Sequence, residues 1–370
     1  MLDQGVQLQL LIGASVPAPV SDVVVDALTN VEVRNNDSSR DGFQMTFTLG
    51  RDSIADYSLL TNNYFEPPKR VIIFVILGVL PQILIDGIIT NHQVVPSNRP
   101  GESSLVVTGE DISLKLDLTE KNKTYKNQSD SEIVETILRE YLIDGLSPEV
   151  APTSIRRQEN EGNTTQQGTD LSFIQELARR NGFVFFVEPT TVPRRVKAYW
   201  GPQNYQSSPQ PALTINMGGD TNVESLSFSF DALGPATPST VILDPDSKQQ
   251  IPVPELPSTR PPLARQPTTS LRTTLPREVA NKDQALAAVL ANALASASAD
   301  AVTGSGQLDA VRYGRVLRAR SLVDLRGAGN TYDGKYYVKQ VTHTIRRGEY
   351  KQGFSLSREG RGALSPLVTV

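Results

Sequence analysis

The sequence predicts a mainly β protein with α+β insertions, in which two strand-rich blocks flank a small α/β block. Three observations predict it. Apolar and polar residues alternate with a period of two in the first and last thirds of the 370-residue chain. Apolar residues recur at helical spacing in the middle. Hydrophobic residues make up 38% and charged residues 21%, enough for several ordinary cores and for two to four domains.

The first block covers 1–118. Phe43, Met45, Phe47 and Leu49 alternate with Gln44, Thr46 and Thr48, which puts one apolar face inward and one polar face outward. Residues 71–89 read VIIFVILGVLPQILIDGII, close to the length of a membrane span. Val and Ile dominate the run, and Pro81, Asp86 and two glycines interrupt it, so it reads as two buried strands with no integral membrane segment. The strands fall at about 71–78 and 83–89, joined at Leu80-Pro81-Gln82. Exposed, such a run would aggregate, so another layer or another subunit should cover it. Leu105-Val106-Val107 before Gly109 is a further strand. Ile112, Leu114, Leu116 and Leu118 alternate with Ser113, Lys115 and Asp117 as another. A sheet-rich domain of barrel or sandwich type is expected.

The middle block covers 119–200. Ser129 and Glu132 form a capping-box pattern ahead of Ile133, Val134, Ile137, Leu138, Tyr141 and Leu142, and Gly145 is a natural stop. An irregular stretch is expected at 147–168. A second helix starts near Thr169-Asp170, with Leu171, Ile174, Leu177 and Ala178 on one face. Arg179 and Arg180 complement the dipole of its last turn, and Asn181-Gly182 ends it. Phe183 to Val187 then reads as a buried strand.

The last block covers 201–370. Leu226, Phe228 and Phe230 alternate with Ser225, Ser227 and Ser229. Residues 234–275 are proline-rich and aperiodic, and read as a long loop, an extended arm or a linker. An Ala-rich helix over 279–301 carries Leu286, Val289, Leu290, Ala293 and Leu294 on its apolar face. Strands resume at about 312–325. A hairpin closes the chain, Lys335 to Ile345 and Tyr350 to Arg358 about a turn at Arg346 to Glu349. The two strand-rich blocks share a pattern but no detectable sequence repeat.

Chemistry is sparse. There is no cysteine, which excludes disulfides, thiolate metal sites and cysteine nucleophiles. The net charge of −4 and scattered arginine pairs give no basic stripe, so no nucleic acid binding is expected. The two histidines, His92 and His343, sit in separate blocks without carboxylates at metal spacing. His343 alternates with Val341 and Ile345, which suits a packed group. No nucleophile elbow and no phosphate loop occur. Asp244 and Asp246 could pair as carboxylates, but their proline-rich setting is a poor platform for glycoside hydrolysis. Gly304 with Gly306 and Gly327 with Gly329 read as turn glycines. No catalytic, cofactor-binding or metal residue is assigned, and no cofactor is expected. The Gln, Thr and Ser faces around 43–49 and 226–230 fit either a solvated sheet or an uncharged channel lining.

Three segments resemble the phage late-control D and VgrG hub family. They are SEIVETILREYLIDGL at 131–146, QQGTDLSFIQELARRNGFVFFVEP at 166–189 and DGKYYVKQVTHTIRRGEYKQGFSLSR at 333–358. In the second, Gln167, Asp170, Phe173, Leu177, Ala178, Gly182, Phe183 and Phe185 carry the likeness. In the third, Gly334, Tyr336, Tyr337, Val338, Thr342, His343, Gly348, Tyr350 and Phe354 do. The resemblance implies two tube-like β-barrel domains, 1–118 and 201–370, around an α/β insertion domain, 119–200. Three copies would form a trimeric pseudo-sixfold ring. It implies a structural baseplate hub of a phage tail or contractile injection system, joining a threefold spike to a sixfold inner tube, and no enzyme. The implied partners are two further copies, a spike protein, an inner tube protein or tube initiator, and baseplate wedge proteins, with assembly in the bacterial cytoplasm. VgrG proteins continue into a spike, whereas this sequence ends at Val370, so a separate spike protein is expected. The alternatives are a lysozyme-like, envelope-degrading enzyme at a tail tip, or a carbohydrate-binding adhesin. The single Trp200 and 6% aromatic content speak against the adhesin.

Overall fold

A sheet of thirteen strands runs through both strand-rich blocks. The computed structural model describes residues 5–364, apart from 15, 51–56, 62, 79, 100, 157–162, 244–248, 254–257 and 277–283.

The first block supplies β1 (Val6–Gly13), β2 (Ala18–Pro19), α1 (Asp22–Ala27), β3 (Leu28–Asn36), β4 (Gly42–Thr48), α2 (Ser58–Thr61), β5 (Arg70–Leu77), β6 (Leu80–Val95) and β7 (Ser104–Asp111). Phe43, Met45 and Phe47 are buried as their alternation requires. The apolar run forms the antiparallel pair β5 and β6, from Arg70 opposite Ile88 to Leu77 opposite Leu80. Val71, Ile72, Ile73, Ile83, Leu84 and Ile85 are buried, so both faces are covered. The chain reverses at Gly78, whose φ of 73° favours glycine. Leu80-Pro81-Gln82 therefore belongs to β6 and not to the connection. Proline is tolerated there because β7 joins β6 only from Gly87 onward, which leaves that edge free of ladder bonds at Pro81. Among the described residues, no helix is long and apolar enough to cross a membrane. The strand expected at 112–118 is instead a 3₁₀ turn, Ile112–Asp117. Asp111 starts it by accepting from the Ser113 N–H at 2.8 Å, and Leu118 is exposed.

The middle block supplies β8 (Glu120–Tyr125), α3 (Asp130–Arg139), β9 (Leu146–Val150), β10 (Thr164–Thr169), α4 (Asp170–Asn181), β11 (Val184–Pro189) and β12 (Val196–Gly201). Both halves of the capping box form at α3, and Gly145 and Gly182 take positive φ after the helical turns they end. Leu142 lies outside the helix and is exposed. The two helices pack on the three-stranded sheet β11-β12-β9 around a core separate from the main one, to which Ile88, Ile112 and Leu116 of the first block also contribute. Trp200 is fully buried in that core and donates its Nε1–H to the Ile174 carbonyl at 3.2 Å. The stretch 147–168 is not irregular throughout. It contains β9, parallel to β12, and β10, antiparallel to β8. Polar residues such as Thr164, Thr165, Gln166 and Gln167 hid the second strand from a hydrophobic pattern.

The last block supplies β13 (Gln210–Thr214), β14 (Val223–Phe230), β15 (Ala236–Pro238), β16 (Thr240–Leu243), β17 (Gln250–Val253), β18 (Ala264–Pro267), β19 (Arg272–Thr274), α5 (Gln284–Ala297), β20 (Val302–Asp309), α6 (Ala310–Tyr313), β21 (Leu322–Arg326), β22 (Gly334–Arg346), β23 (Glu349–Arg358) and β24 (Gly360–Ala363). The closing hairpin stands as expected, though Ser357 and Arg358 are buried too. The proline-rich stretch holds five short strands, β15 to β19, instead of one loop. They are held by β19, β17 and β24, and α5 covers Ile242 and Val253. Leu286, Leu290 and Ala293 of α5 are buried, whereas Leu294 is exposed. Of the strands expected at about 312–325 only Leu322–Arg326 forms; Ala310–Tyr313 is helical, because Asp309 caps the turn by accepting from the Val311 and Arg312 N–H groups. Gly304 and Gly306 lie inside β20, where a Cβ on Gly306 would sit 2.4 Å from the Ser225 carbonyl and 2.7 Å from the Phe354 ring. Gly327 and Gly329 do serve a turn, both at positive φ.

One edge of β22 is shared. Residues 334–337 pair with β21, and residues 340–346 pair with β3 of the first block. The main core accordingly mixes residues of both blocks, such as Val33 and Met45 with Val341 and Leu356.

Candidate functional site: a polar sheet face and the network beneath it

Eight strands of the sheet run consecutively in the order β14-β20-β23-β22-β3-β4-β7-β6, each antiparallel to the next. The two halves repeat one topology. The strands β14, β20, β22 and β23 stand in the order first, second, fourth, third, and so do β3, β4, β6 and β7. The bulges repeat as well. Val223/Ser225 on β14 corresponds to Leu28/Asn30 on β3, and Val338/Gln340 on β22 corresponds to Ile89/Asn91 on β6. No sequence repeat signals this, because strand pairing constrains burial and spacing but not residue identity.

The register places polar residues side by side across the whole sheet. Ser227 faces Ser305, Ser305 faces Ser355, Ser355 faces Gln340, and Gln340 faces Asn36. On the same face Glu32 is opposite Gln44, Gln44 opposite Thr108, and Thr108 opposite Asn91. Ser227 and Ser305 share a hydroxyl hydrogen bond of 3.0 Å, and Asn36 donates to Gln340 at 3.0 Å. The two polar stretches read from the sequence thus belong to one surface. Its Ser227, Ser305, Gln44 and Asn91 are exposed, and its Thr108, Thr342 and Thr344 are half-buried. Most charges on it are paired, Arg34 with Glu32 at 3.2 Å, Lys351 with Asp309 at 2.9 Å and with Glu224, and Glu110 with Arg40, while Arg346 donates to the Asn30 amide oxygen at 3.2 Å.

Beneath this face a buried polar chain crosses the junction of β22 and β3. Asn35 Nδ2 donates to Asp41 at 2.8 Å, which leaves its Oδ1 to accept from His343 Nε2 at 3.0 Å. His343 Nδ1 must then accept, from the Tyr350 hydroxyl at 2.8 Å and from Gln352 Nε2 at 3.3 Å. The imidazole is neutral and fully bonded, and burial with the nearby Arg318 charge pushes its pKa down to about 3. Asp41 accepts from the Arg320 guanidinium at 2.5 Å, and its N–H donates to Asp111 at 2.7 Å. Burial, aided by the Asp41 charge, pushes Asp111 up to about 7. Arg320 also donates to the Asn36 carbonyl at 2.6 Å and lies over the Phe186 ring, 4.3 Å from its centroid. One side chain thereby touches all three blocks. These groups brace the sheet; none is aimed at an open site.

Of the residues weighed from sequence, His343 is packed as its alternation suggested. His92 is half-buried, with Nδ1 3.2 Å from the Phe65 carbonyl. The two histidines share no partner. Asp244 and Asp246 lie outside the described residues. Among the described residues, no group of three His, Asp or Glu could hold a metal. Sequence reasoning missed Asn35, Asp41, Asp111, Arg320 and Gln352. The one available signal was Arg318 and Arg320 set among Val316, Leu317 and Leu322, charges in an apolar neighbourhood. A cleft of about 1240 Å³ lies between α4, α5 and residues 202–206. Its Arg180 is paired with Asp130, and its Arg260 and Lys339 with Asp300.

Residues 28–220 match the family model described as the Alg8 N-terminal domain, just over half of the chain. The chain belongs to that family. No curated protein matches the sequence. The fold is similar to the tail protein from Neisseria meningitidis MC58, at 12% identity and a TM-score of 0.66, covering 96% of this chain and 97% of that one. It is also similar to a 43 kDa tail protein of prophage MuSo2 from Shewanella oneidensis, at 12% identity and a TM-score of 0.63, covering 95% and 99%. A third is an E. coli component of the type VI secretion system with structural similarity to the T4 bacteriophage tail proteins gp27 and gp5. There the identity is 16% and the TM-score 0.55, over 92% of this chain and 77% of that one. The family matched is not the one the three segments resemble, but the tail-protein fold that the resemblance implied is the fold these structures share. None of the three is described as an enzyme.

Proposed function

We propose that this protein is a structural baseplate hub of a phage tail or contractile injection system, acting mechanically and without catalysis or cofactor. The observation that carries the reading is the eight-stranded sheet, apolar on one face and polar, uncovered and charge-balanced on the other. A surface of hydroxyls and amides with mostly paired charges offers a passing chain or tube no strong electrostatic trap, which is what a channel wall requires. The repeated four-strand halves support the rest. Each half acts as one tube-like domain, 1–118 or 201–370, with the α/β domain 119–200 outside the wall. Three copies then present six similar units to a sixfold inner tube and three whole chains to a threefold spike. The partners are two further copies, the spike protein, the inner tube protein or tube initiator, and the wedge proteins of the baseplate, met in the bacterial cytoplasm. Mass photometry and electron-microscopic class averages of the purified chain test this: a three-copy ring with a central hole is expected. A monodisperse monomer at micromolar concentration would contradict it.

A further inference from the structure

Two exposed turns project from one end of the small sheet β11-β12-β9. One is the 3₁₀ turn Leu142–Asp144 ahead of β9, and the other is the hairpin turn 190–195 between β11 and β12. Because β9 and β12 are parallel, with Leu146 opposite Val196, both turns leave the sheet at the same end. They lie against each other there. The Val196 N–H donates to the Gly145 carbonyl at 3.0 Å, and a Cβ on Gly145 would collide with the Arg194 carbonyl.

Each turn is held rigid from within. Asp144 and Gly145 donate their N–H groups to the Tyr141 and Leu142 carbonyls, and the Asp144 carbonyl accepts from Arg70 at 2.9 Å. Arg70 is itself fixed by Asp86 at 2.6 Å. In the hairpin, the Thr190 hydroxyl donates to the Arg195 carbonyl at 2.9 Å and accepts from the Val192 N–H at 3.2 Å. On these braced turns Leu142, Ile143, Val192 and Pro193 are exposed. Ile143 is 91% exposed, more than any other large apolar side chain among the described residues. Arg194 and Arg195 are exposed in the same turn. Neither has a carboxylate partner among the described residues, since Glu188 of β11 and Glu149 of β9 are held by Lys197 at 3.5 and 3.7 Å. Asp144 is the single acid in the two turns, which leaves the tip with cations in excess.

We propose that this tip is a peripheral membrane contact, dipping Leu142, Ile143, Val192 and Pro193 into the headgroup boundary of an anionic lipid surface, with Arg194 and Arg195 on the lipid phosphates. Shape decides for lipid over protein. A protein partner would need a recess moulded to a convex tip, whereas lipids part around one. Turns already rigid lose little freedom on entering. The charges agree, because the arginine fork binds phosphate in two-point fashion. The chain as a whole carries −4 and is repelled by an anionic surface, so attraction to one has to come from the tip.

Flotation of the full-length chain with phosphatidylcholine vesicles, with and without phosphatidylglycerol, tests this. Binding is expected to the vesicles that contain phosphatidylglycerol and is expected to weaken at high salt. Ile143→Asp should lower it about tenfold. Arg194→Gln and Arg195→Gln should each lower it about fivefold. Leu271→Asp, which changes an exposed leucine outside the tip, should bind like the parent. A fluorophore on Val192→Cys, the sole thiol in a chain without cysteine, should report an apolar setting on the same vesicles. No binding, equal binding to pure phosphatidylcholine, or binding untouched by Ile143→Asp would overturn the membrane contact and leave the proposed hub standing. So would oligomers that dissociate in Ile143→Asp by mass photometry, which would assign the tip to contacts between copies.

Discussion

His343 and Asp111 sit in one buried chain of hydrogen bonds yet pull the pH dependence of stability in opposite directions. His343 has its pKa pushed down to about 3, from 6.5 in the unfolded chain. Its contribution is present above pH 6.5 and is lost as pH falls toward 3, because only the unfolded chain takes up the proton. Asp111 is pushed up to about 7, from 3.8. Its contribution is present below pH 3.8 and is lost as pH rises through 7. Each slope is roughly 1.4 kcal/mol per pH unit at its steepest, so each window amounts to a few kcal/mol. Between about pH 4 and 6.5 the two offset each other in the parent. Replacing one exposes the other. In Asp111→Asn, stability relative to the parent should fall as pH is lowered from 7 to 4. In His343→Gln, which keeps a donor and an acceptor but does not titrate, relative stability should rise as pH is lowered from 6.5. Urea unfolding followed by circular dichroism at half-unit pH steps measures both differences, and subtracting the parent profile removes the carboxylates other than Asp41, whose charge acts directly on Asp111. Variant profiles parallel to the parent, or two differences of the same sign, would refute the assignment of buried neutral histidine and buried protonated aspartate.

Arg320→Met should destabilise the chain by about 3–5 kcal/mol in urea unfolding, since it leaves Asp41 buried beside Asn35 without its cation. Adding Asp41→Asn should recover part of that loss, a double-mutant coupling that independent sites would not show. Gly306→Val should cost about 1–3 kcal/mol, because its Cβ would meet the Ser225 carbonyl and push β14 away from β20. Ser129→Ala should cost about 1 kcal/mol by removing one half of the capping box, readable as a lower unfolding midpoint with the sheet unchanged.

Features set by neighbours in sequence were legible without a structure. Alternation at Phe43–Leu49 and Tyr350–Leu356, the Ser129–Glu132 cap, the stops at Gly145 and Gly182 and the turn at Gly348 all depend on residues within one turn or one hairpin. So did the packed state of His343, which its strand neighbours Val341 and Ile345 imply. Where a partner far along the chain decides, the sequence was silent. Strands of three or four residues such as β18 exist only because β24, nearly a hundred positions later, supplies their ladder. Ile112–Leu118 alternates like a strand, yet a cap from Asp111 winds it into a turn. The Arg320 network, the shared edge of β22 and the twofold repeat of topology and bulges became visible only when the blocks were brought together. Hydrogen-bond ladders and buried charge pairs specify geometry and leave side-chain identity largely free, so two halves can be alike in space without being alike in letters.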